Sequence, residues 1–216
     1  MKTRLSKLNR MEEKRYIEWF FELKEELETA YLQHDEPWKQ SGFSGPEERW
    51  VACRKPIADC VDKSGRFLDI GCANGYLLEC ISKWVTDRGI SIIPYGIDLS
   101  EKLIELARKR LPGYSENLQV ANGLYWDNPE RFDFVGTLLD YIPEELHREY
   151  LERIIDRYLA DSGKLLVAEY RSRKTPDDTP WCGGRIRGWG FKIIGQTSGY
   201  YDGKELTRII VIQKPV

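Results

Sequence analysis

An α/β fold, doubly wound around a mostly parallel sheet, is the architecture this sequence predicts, and three observations carry it. From Gly65 onward, short apolar runs alternate with amphipathic stretches, the pattern of strands joined by crossover helices. The run Phe67-Leu68-Asp69-Ile70 opens directly into small residues, Gly71-Cys72-Ala73-Asn74-Gly75, and an amphipathic segment follows at once. A second apolar run, Ile92 to Ile97, ends in Asp98.

The elements follow in order. Residues 1–10 are polar and are expected to fray. From about Leu8 to Leu32, Tyr16, Phe20, Leu23, Leu27 and Tyr31 recur at helical spacing and share one face, which Trp19 and Phe21 should widen. His34 to Phe43 mixes turn formers with two aromatics and reads as a loop. A second helix should open at Ser44-Gly45-Pro46-Glu47, with Ser44 as cap, Pro46 in the first turn and Glu47 closing a capping box, and run to about Val61. Residues 1–62 thus form a helical extension or lid ahead of a domain at 63–216. In that domain strands are expected near 66–70, 92–98, 117–121, 131–137 and 163–170, and helices near 75–87, 100–111 and 143–159. Ser100 caps the second of these helices and Pro143 opens the third. The tail breaks the alternation. Phe191 to Gly195 and Leu206 to Ile212 are strand-like, with a turn signal at Tyr201-Asp202-Gly203, so an antiparallel hairpin should close one edge of a seven-stranded sheet. Arg171 to Pro180 reads as a loop.

Composition narrows the function. The chain is 41% hydrophobic, enough for a packed core, and 33 basic against 35 acidic residues leave a net charge of −2. No global field draws it to nucleic acid or an anionic membrane, and no basic stripe interleaved with aromatics appears. No apolar stretch approaches the roughly 20 residues of a spanning helix. No apolar segment follows the basic start, so no signal peptide is expected. The five cysteines form no Cys-x-x-Cys pair, which points away from a disulfide framework or metal site and towards reduced thiols in the cytoplasm. Oligomeric state is not legible.

A strand, a tight glycine loop, a helix and a strand ending in a carboxylate is how α/β proteins hold an adenosine-bearing cofactor. A nicotinamide fingerprint wants a third glycine where Tyr76 stands. S-adenosylmethionine carries no phosphate, and Asp69 beside the loop suits its ammonium. Asp69-Ile70-Gly71-Cys72-Ala73-Asn74-Gly75 resembles motif I of the class I S-adenosylmethionine-dependent methyltransferases, with Ala73 in place of the commoner middle glycine. Phe132-Asp133-Phe134-Val135, Gly163-Lys164-Leu165-Leu166 and Trp189-Gly190-Phe191 resemble the family's starts of the fourth, fifth and sixth strands. The resemblance covers about residues 60–216 and implies a Rossmann-like sheet. It also implies that Asp98 binds the ribose hydroxyls, that Leu99 packs on the adenine, and that Asn122, with Gly123 and Leu124, lies at the adenine amino group. Asp98 as a mere helix cap and Asn122 as a mere turn former are the plainer alternatives. Cys72 is read as a small filler of the loop.

Thr137-Leu138-Leu139-Asp140-Tyr141-Ile142-Pro143 lies, by the same resemblance, beside the methyl-bearing sulfur. It lacks the Asn/Asp-Pro-Pro-Tyr of amino-group methylases acting on adenine or glutamine. Asp140 or Tyr141 is a candidate to orient or deprotonate a nucleophile, against the plain reading of a surface carboxylate and a packed ring. His34, Trp38 and Phe43 are candidates for an aromatic lid, or else pins of the helix to the domain. Arg171, with Arg173, Lys174, Arg185 and Arg187, could grip an acidic group of a substrate, or simply be solvated. The function expected is methyl transfer from S-adenosylmethionine, leaving S-adenosylhomocysteine, to a small-molecule O, N or C nucleophile. The alternatives are a non-catalytic S-adenosylmethionine-binding module and a nicotinamide-dependent oxidoreductase.

Overall fold

Helices cover both faces of the sheet, which is why its central strands are apolar along their length. The computed structural model describes residues 10–214, so the fraying expected of the first nine residues lies outside it. The strands are β1 (Gly65–Ile70), β2 (Ile92–Asp98), β3 (Leu118–Val120), β4 (Phe132–Leu138), β5 (Leu159–Tyr170), β6 (Ile193–Tyr201) and β7 (Lys204–Gln213). They form one seven-stranded sheet in the order β3-β2-β1-β4-β5-β7-β6. The first five run parallel, and β7 inserts antiparallel between β5 and β6.

The helices are α1 (Arg10–Tyr31), α2 (Glu47–Arg54), α3 (Pro56–Asp59), α4 (Tyr76–Thr86), α5 (Glu101–Arg110), α6 (His147–Arg157) and α7 (Gly183–Gly188). Side chains alternating along β5 fill two cores. Leu165 and Val167 join Tyr16, Phe20, Tyr150 and Ile154 on the α1 and α6 side. Leu166 and Ala168 join Ile57, Leu78, Ile81 and Ile104 on the α3, α4 and α5 side. Both cores leave the carboxyl ends of β1, β2 and β4 open, the place where sheets of this kind take ligands. Ser100 caps α5, its Oγ accepting from the Leu103 N–H at 3.2 Å. None of the described helices is long and apolar enough to cross a membrane.

Several boundaries differ from expectation for local reasons. The second helix stops at Arg54 and a short one resumes at Pro56, whose ring forbids an unbroken helix. Ser44 makes no cap. Pro46 takes that position, and Glu47 instead accepts from the Tyr76 hydroxyl. Pro143 opens a 3₁₀ turn at Glu144–Leu146 before α6. Strand β5 starts at Leu159 rather than 163, because Leu159 pairs with Phe132 ahead of a register shift. Strand β6 continues past Gly195 to Tyr201, and Gly199 lets α2 close on it, since a Cβ there would meet the Ala52 carbonyl oxygen. Helix α7 was not expected at all. Gly183-Gly184 at its start hides it, while the buried Ile186 holds it down. Phe21 does not widen the packed face of α1 but stands 57% exposed.

Candidate active site

The loop after β1 is built from unusual backbone. Gly71 (φ +84), Ala73 (φ 46) and Gly75 (φ 72) are all left-handed. A Cβ on Gly71 would run into the Tyr141 ring, and one on Gly75 would press on Ala107 of α5. Ala73 holds its conformation at a cost of about 1 kcal/mol or more, strain of the kind kept at functional sites. Five of the six N–H groups from Gly71 to Tyr76 are already spent. Those of Gly71 and Cys72 donate to the Ile97 carbonyl at 2.8 and 3.1 Å, and that of Gly75 to the Cys72 carbonyl at 2.9 Å. The Ala73 N–H donates to Asp98 Oδ2 at 2.9 Å and the Tyr76 N–H to Asn74 Oδ1 at 3.2 Å. Asp98 Oδ1 accepts from the Ser100 N–H at 2.9 Å, so this one carboxylate ties the loop to the start of α5.

Two chambers meet at this loop. The first is floored by Ile70, Gly71, Asp98, Leu99, Asn122 and Gly123. Phe20, Leu23, Leu27 and Tyr31 of α1 roof it. A latch holds the roof: Glu28 accepts from Ser100 Oγ at 2.6 Å and from Lys102 Nζ at 2.8 Å. Burial pushes the Glu28 carboxyl up, but the hydrogen bonds from Lys102 and Ser100 hold it below the usual carboxylate range. Asn122 lines the chamber, and its Oδ1 accepts from the Leu124 N–H at 2.9 Å as in a turn.

The second chamber contains Asp69, Gly136, Thr137, Leu138, Tyr170 and Arg54. Burial, then the charge of Asp98, pushes the Asp69 carboxyl up to about 7, against the pull of Arg54. Arg54, 8% exposed, lies flat on the Tyr170 ring at 3.3 Å, and its Nη1 has no hydrogen-bond partner among the described residues. Sequence reasoning missed Arg54. The available signal was its place one turn after Trp50, which puts a cation on the buried face of α2. Tyr141 stands between the chambers and lines both, with burial pushing its hydroxyl well above the usual range.

Other expected residues fall elsewhere. The Asn74 side chain is buried away from both chambers, where Nδ2 donates to the Pro37 carbonyl at 3.0 Å and Gln40 Oε1 at 3.1 Å. The Cys72 side chain packs over Gly96, and burial pushes its thiol well up, as suits a filler. Leu124 is buried in the core. His34, Trp38 and Phe43 line neither chamber. Trp38 Nε1 donates to the Gly45 carbonyl at 3.0 Å and Phe43 lies against Arg49 and Arg54, so these two rings pin the segment. The segment reaches the site instead through Tyr31 and Ser41. Arg171 is held by Glu169 and the Thr179 carbonyl, both at 2.9 Å, and stacks on Trp181. Asp140 and Arg171 line a third cavity at the end of β5, which shares Ala168 and Tyr170 with the Asp69 chamber. Among the described residues, no cluster of three or more His, Cys, Asp or Glu could hold a metal.

Comparison with known proteins agrees with this architecture. A family model described as a methyltransferase domain matches residues 67–163. The ubiquinone biosynthesis O-methyltransferase of Thiobacillus denitrificans (strain ATCC 25259 / T1) is 31% identical over 102 residues, 44% of this chain, and the match spans 39% of that protein's length. N-methyltransferase NodS from Bradyrhizobium japonicum WM9, solved with S-adenosyl-l-homocysteine, superposes with a TM-score of 0.58 at 16% identity, covering 89% of this chain and 98% of that one. Magnesium protoporphyrin IX methyltransferase from Synechocystis PCC 6803, with bound SAM, gives 0.54 at 18% identity, covering 82% and 89%. The strand order and the loop after β1 agree with the methyltransferase-domain match over residues 67–163, and the fold is the one shared by these S-adenosylmethionine-dependent methyltransferase structures.

Proposed function

We propose that this protein transfers the methyl group of S-adenosylmethionine to an O, N or C nucleophile of a small molecule, leaving S-adenosylhomocysteine. The observation that carries this reading is the nearly saturated loop. A pyrophosphate needs free N–H groups at a helix start, and here five of the six from Gly71 to Tyr76 are already donated within the protein. What remains is close approach at Gly71, carboxylates at Asp98 and Asp69, and the unpartnered guanidinium of Arg54. That set fits a ligand with a diol at one end and a zwitterionic amino acid at the other, and it counts against a dinucleotide.

Asp98 keeps two of its four lone-pair sites for the ribose hydroxyls. Leu99 covers the adenine, with Asn122 and Gly123 along its edge. Asp69 takes the ammonium and Arg54 the carboxylate. Gly71, Ala73, Thr137 and Leu138 bound the path between the two ends, while Cys72, Asn74 and Gly75 shape the loop and Leu124 packs in the core, none of these touching the ligand. When bound, the cofactor supplies a methyl group on an electron-poor sulfur. The chain then has to exclude water and align the acceptor, and such positioning supplies up to ~7–11 kcal/mol. Residues 1–62 act in this reading as a cover over the domain at 63–216, with α1 as its roof.

Titration calorimetry tests the proposal. S-adenosylhomocysteine should bind, and Arg54→Met should weaken it while leaving the weaker binding of adenosine unchanged. No heat of binding from S-adenosylhomocysteine would sink the proposal.

A further inference from the structure

The Asp, Glu and Arg side chains lining the two cavities beyond the Asp69 chamber are all matched but one. Arg15 pairs with Glu145 at 2.7 Å, and Arg185 pairs with Glu144. Both oxygens of Glu169 are taken, Oε1 by Arg171 at 2.9 Å and Oε2 by the Cys182 N–H at 2.6 Å. Asp140 is the exception. It makes no hydrogen bond or ion pair among the described residues, although it stands near the charges of both Glu169 and Arg185. It lines two cavities at once: the one at the end of β5, and a groove between α1 and the β4–α6 connection. Through Ala168 and Tyr170 the first of these adjoins the Asp69 chamber. Asp140 therefore stands where the groove turns in towards the proposed cofactor.

A second group on the groove wall is also unmatched. His147 is 6% exposed, and its Nε2 lies 2.8 Å from the Ile142 carbonyl. A carbonyl only accepts, so Nε2 carries a hydrogen, and in the neutral form of the ring Nδ1 is an acceptor. That Nδ1 is buried without a partner. A buried acceptor left without a donor costs about 1–3 kcal/mol. Tyr16 and Trp19 of α1 complete the wall with aromatic rings.

A free carboxylate, an imidazole lone pair and aromatic faces all favour the same occupant, one that donates hydrogen bonds and carries positive charge. We propose that this groove seats the methyl acceptor and that the acceptor is an amine, held by Asp140 with His147 behind it. The inference rests on the methyl-transfer reading and narrows it to nitrogen. An ammonium seated there gives one proton to Asp140. The lone pair it uncovers forms the new N–C bond, the C–S bonding pair stays on sulfur as an uncharged thioether, and Asp140 releases its proton to water. A carboxylate-bearing acceptor would meet Asp140 unpaired and be repelled.

Three probes on one skeleton test this: phenethylamine, phenethyl alcohol and phenylacetate, titrated into protein saturated with S-adenosylhomocysteine and followed by ligand-observed NMR. The amine should bind about tenfold more tightly than the alcohol, and phenylacetate most weakly. Asp140→Asn, a change at a solvent-accessible position, should remove about tenfold of the amine affinity and leave S-adenosylhomocysteine affinity alone. Phenylacetate binding as well as the amine, an Asp140→Asn protein that binds the amine normally, or no binding of any probe would each overturn the inference. If S-adenosylhomocysteine itself fails to bind, the methyl-transfer reading falls, and the same titration on the free protein still decides whether the groove prefers amines.

Discussion

The two chambers that meet at Gly71 are made in different ways. The first, the proposed adenosine side, is floored by residues from three consecutive strand ends, Ile70 and Gly71, Asp98 and Leu99, Asn122 and Gly123. Its key carboxylate, Asp98, is fixed by two backbone N–H groups before any ligand arrives. The Asp69 side and the groove beyond it draw single side chains from α2, β4, β5, α6 and α1, and their polar groups stand unmatched: Arg54 Nη1, Asp140 and His147 Nδ1. One side is a preorganised backbone cradle. The other is a set of side chains waiting for a partner. Substitutions on the first should therefore cost both fold and binding, and those at the unmatched groups of the second chiefly binding.

The largest expected effect is at Asp98. Asp98→Ala removes its two proposed ribose bonds, each worth ~1.5–3 kcal/mol, and frees the Ala73 and Ser100 N–H groups as well. Affinity for S-adenosylhomocysteine should fall a hundredfold or more by calorimetry, and the melting temperature should drop with it. A loss of affinity with an unchanged melt would show the cradle to be less integral than its hydrogen bonds imply.

Asp69 should give a pH signature instead. Its carboxyl is raised in the folded chain to about 7 from an ordinary value near 3.8, chiefly by burial. The folded state thus holds a proton between those values that the unfolded chain has released, so this group's contribution to stability falls as pH rises from about 4 to 7. Holding an ammonium needs the ionised form. S-adenosylhomocysteine affinity should therefore weaken as pH drops below about 7, approaching tenfold per unit, and Asp69→Asn should flatten that slope. An affinity independent of pH from 5 to 8 in the native protein would remove Asp69 from the ammonium.

Legibility in the sequence divides along the same line. The alternation of strands and helices, the Ser100 cap and the glycine loop after β1 could be read, because each depends on residues adjacent in the chain with a fixed conformational demand. Arg54 could not, since its value lies in facing Asp69 across a chamber whose walls meet only in the fold. Trp38 and Phe43 looked like a lid by composition but spend themselves holding their own segment, and the roof comes from the regular face of α1. Helix α7 was invisible because burial of Ile186, not propensity, makes it.

Gly71 tests how tightly the two sides are joined. Its φ of +84 and the Tyr141 ring at its Cα both oppose a side chain. Gly71→Ala should cost about 1–3 kcal/mol of stability in denaturant melts. Adding Tyr141→Ala should recover the part due to collision and leave the part due to backbone strain. A double-mutant cycle with no coupling would mean that Tyr141 is a neighbour of the cradle and not a wall shared between chambers.

The smallest expected effect is at the roof. Glu28 joins α1 to Ser100 and Lys102 at the mouth of the adenosine chamber. Because its folded carboxyl sits below the usual range, the bond is present at neutral pH and is lost only as pH falls through that lowered value. Partly exposed pairs of this kind contribute ~0.2–1 kcal/mol, so Glu28→Ala should barely move the melt. Its effect should appear in rates. If α1 is a roof that must lift for the ligand, loosening it speeds both entry and exit, and stopped-flow measurements should show association and dissociation of S-adenosylhomocysteine rising together while Kd stays nearly constant. If dissociation alone rises, α1 is a wall that contacts the bound ligand, and the adenosine side then depends on a side-chain contact just as the Asp69 side does.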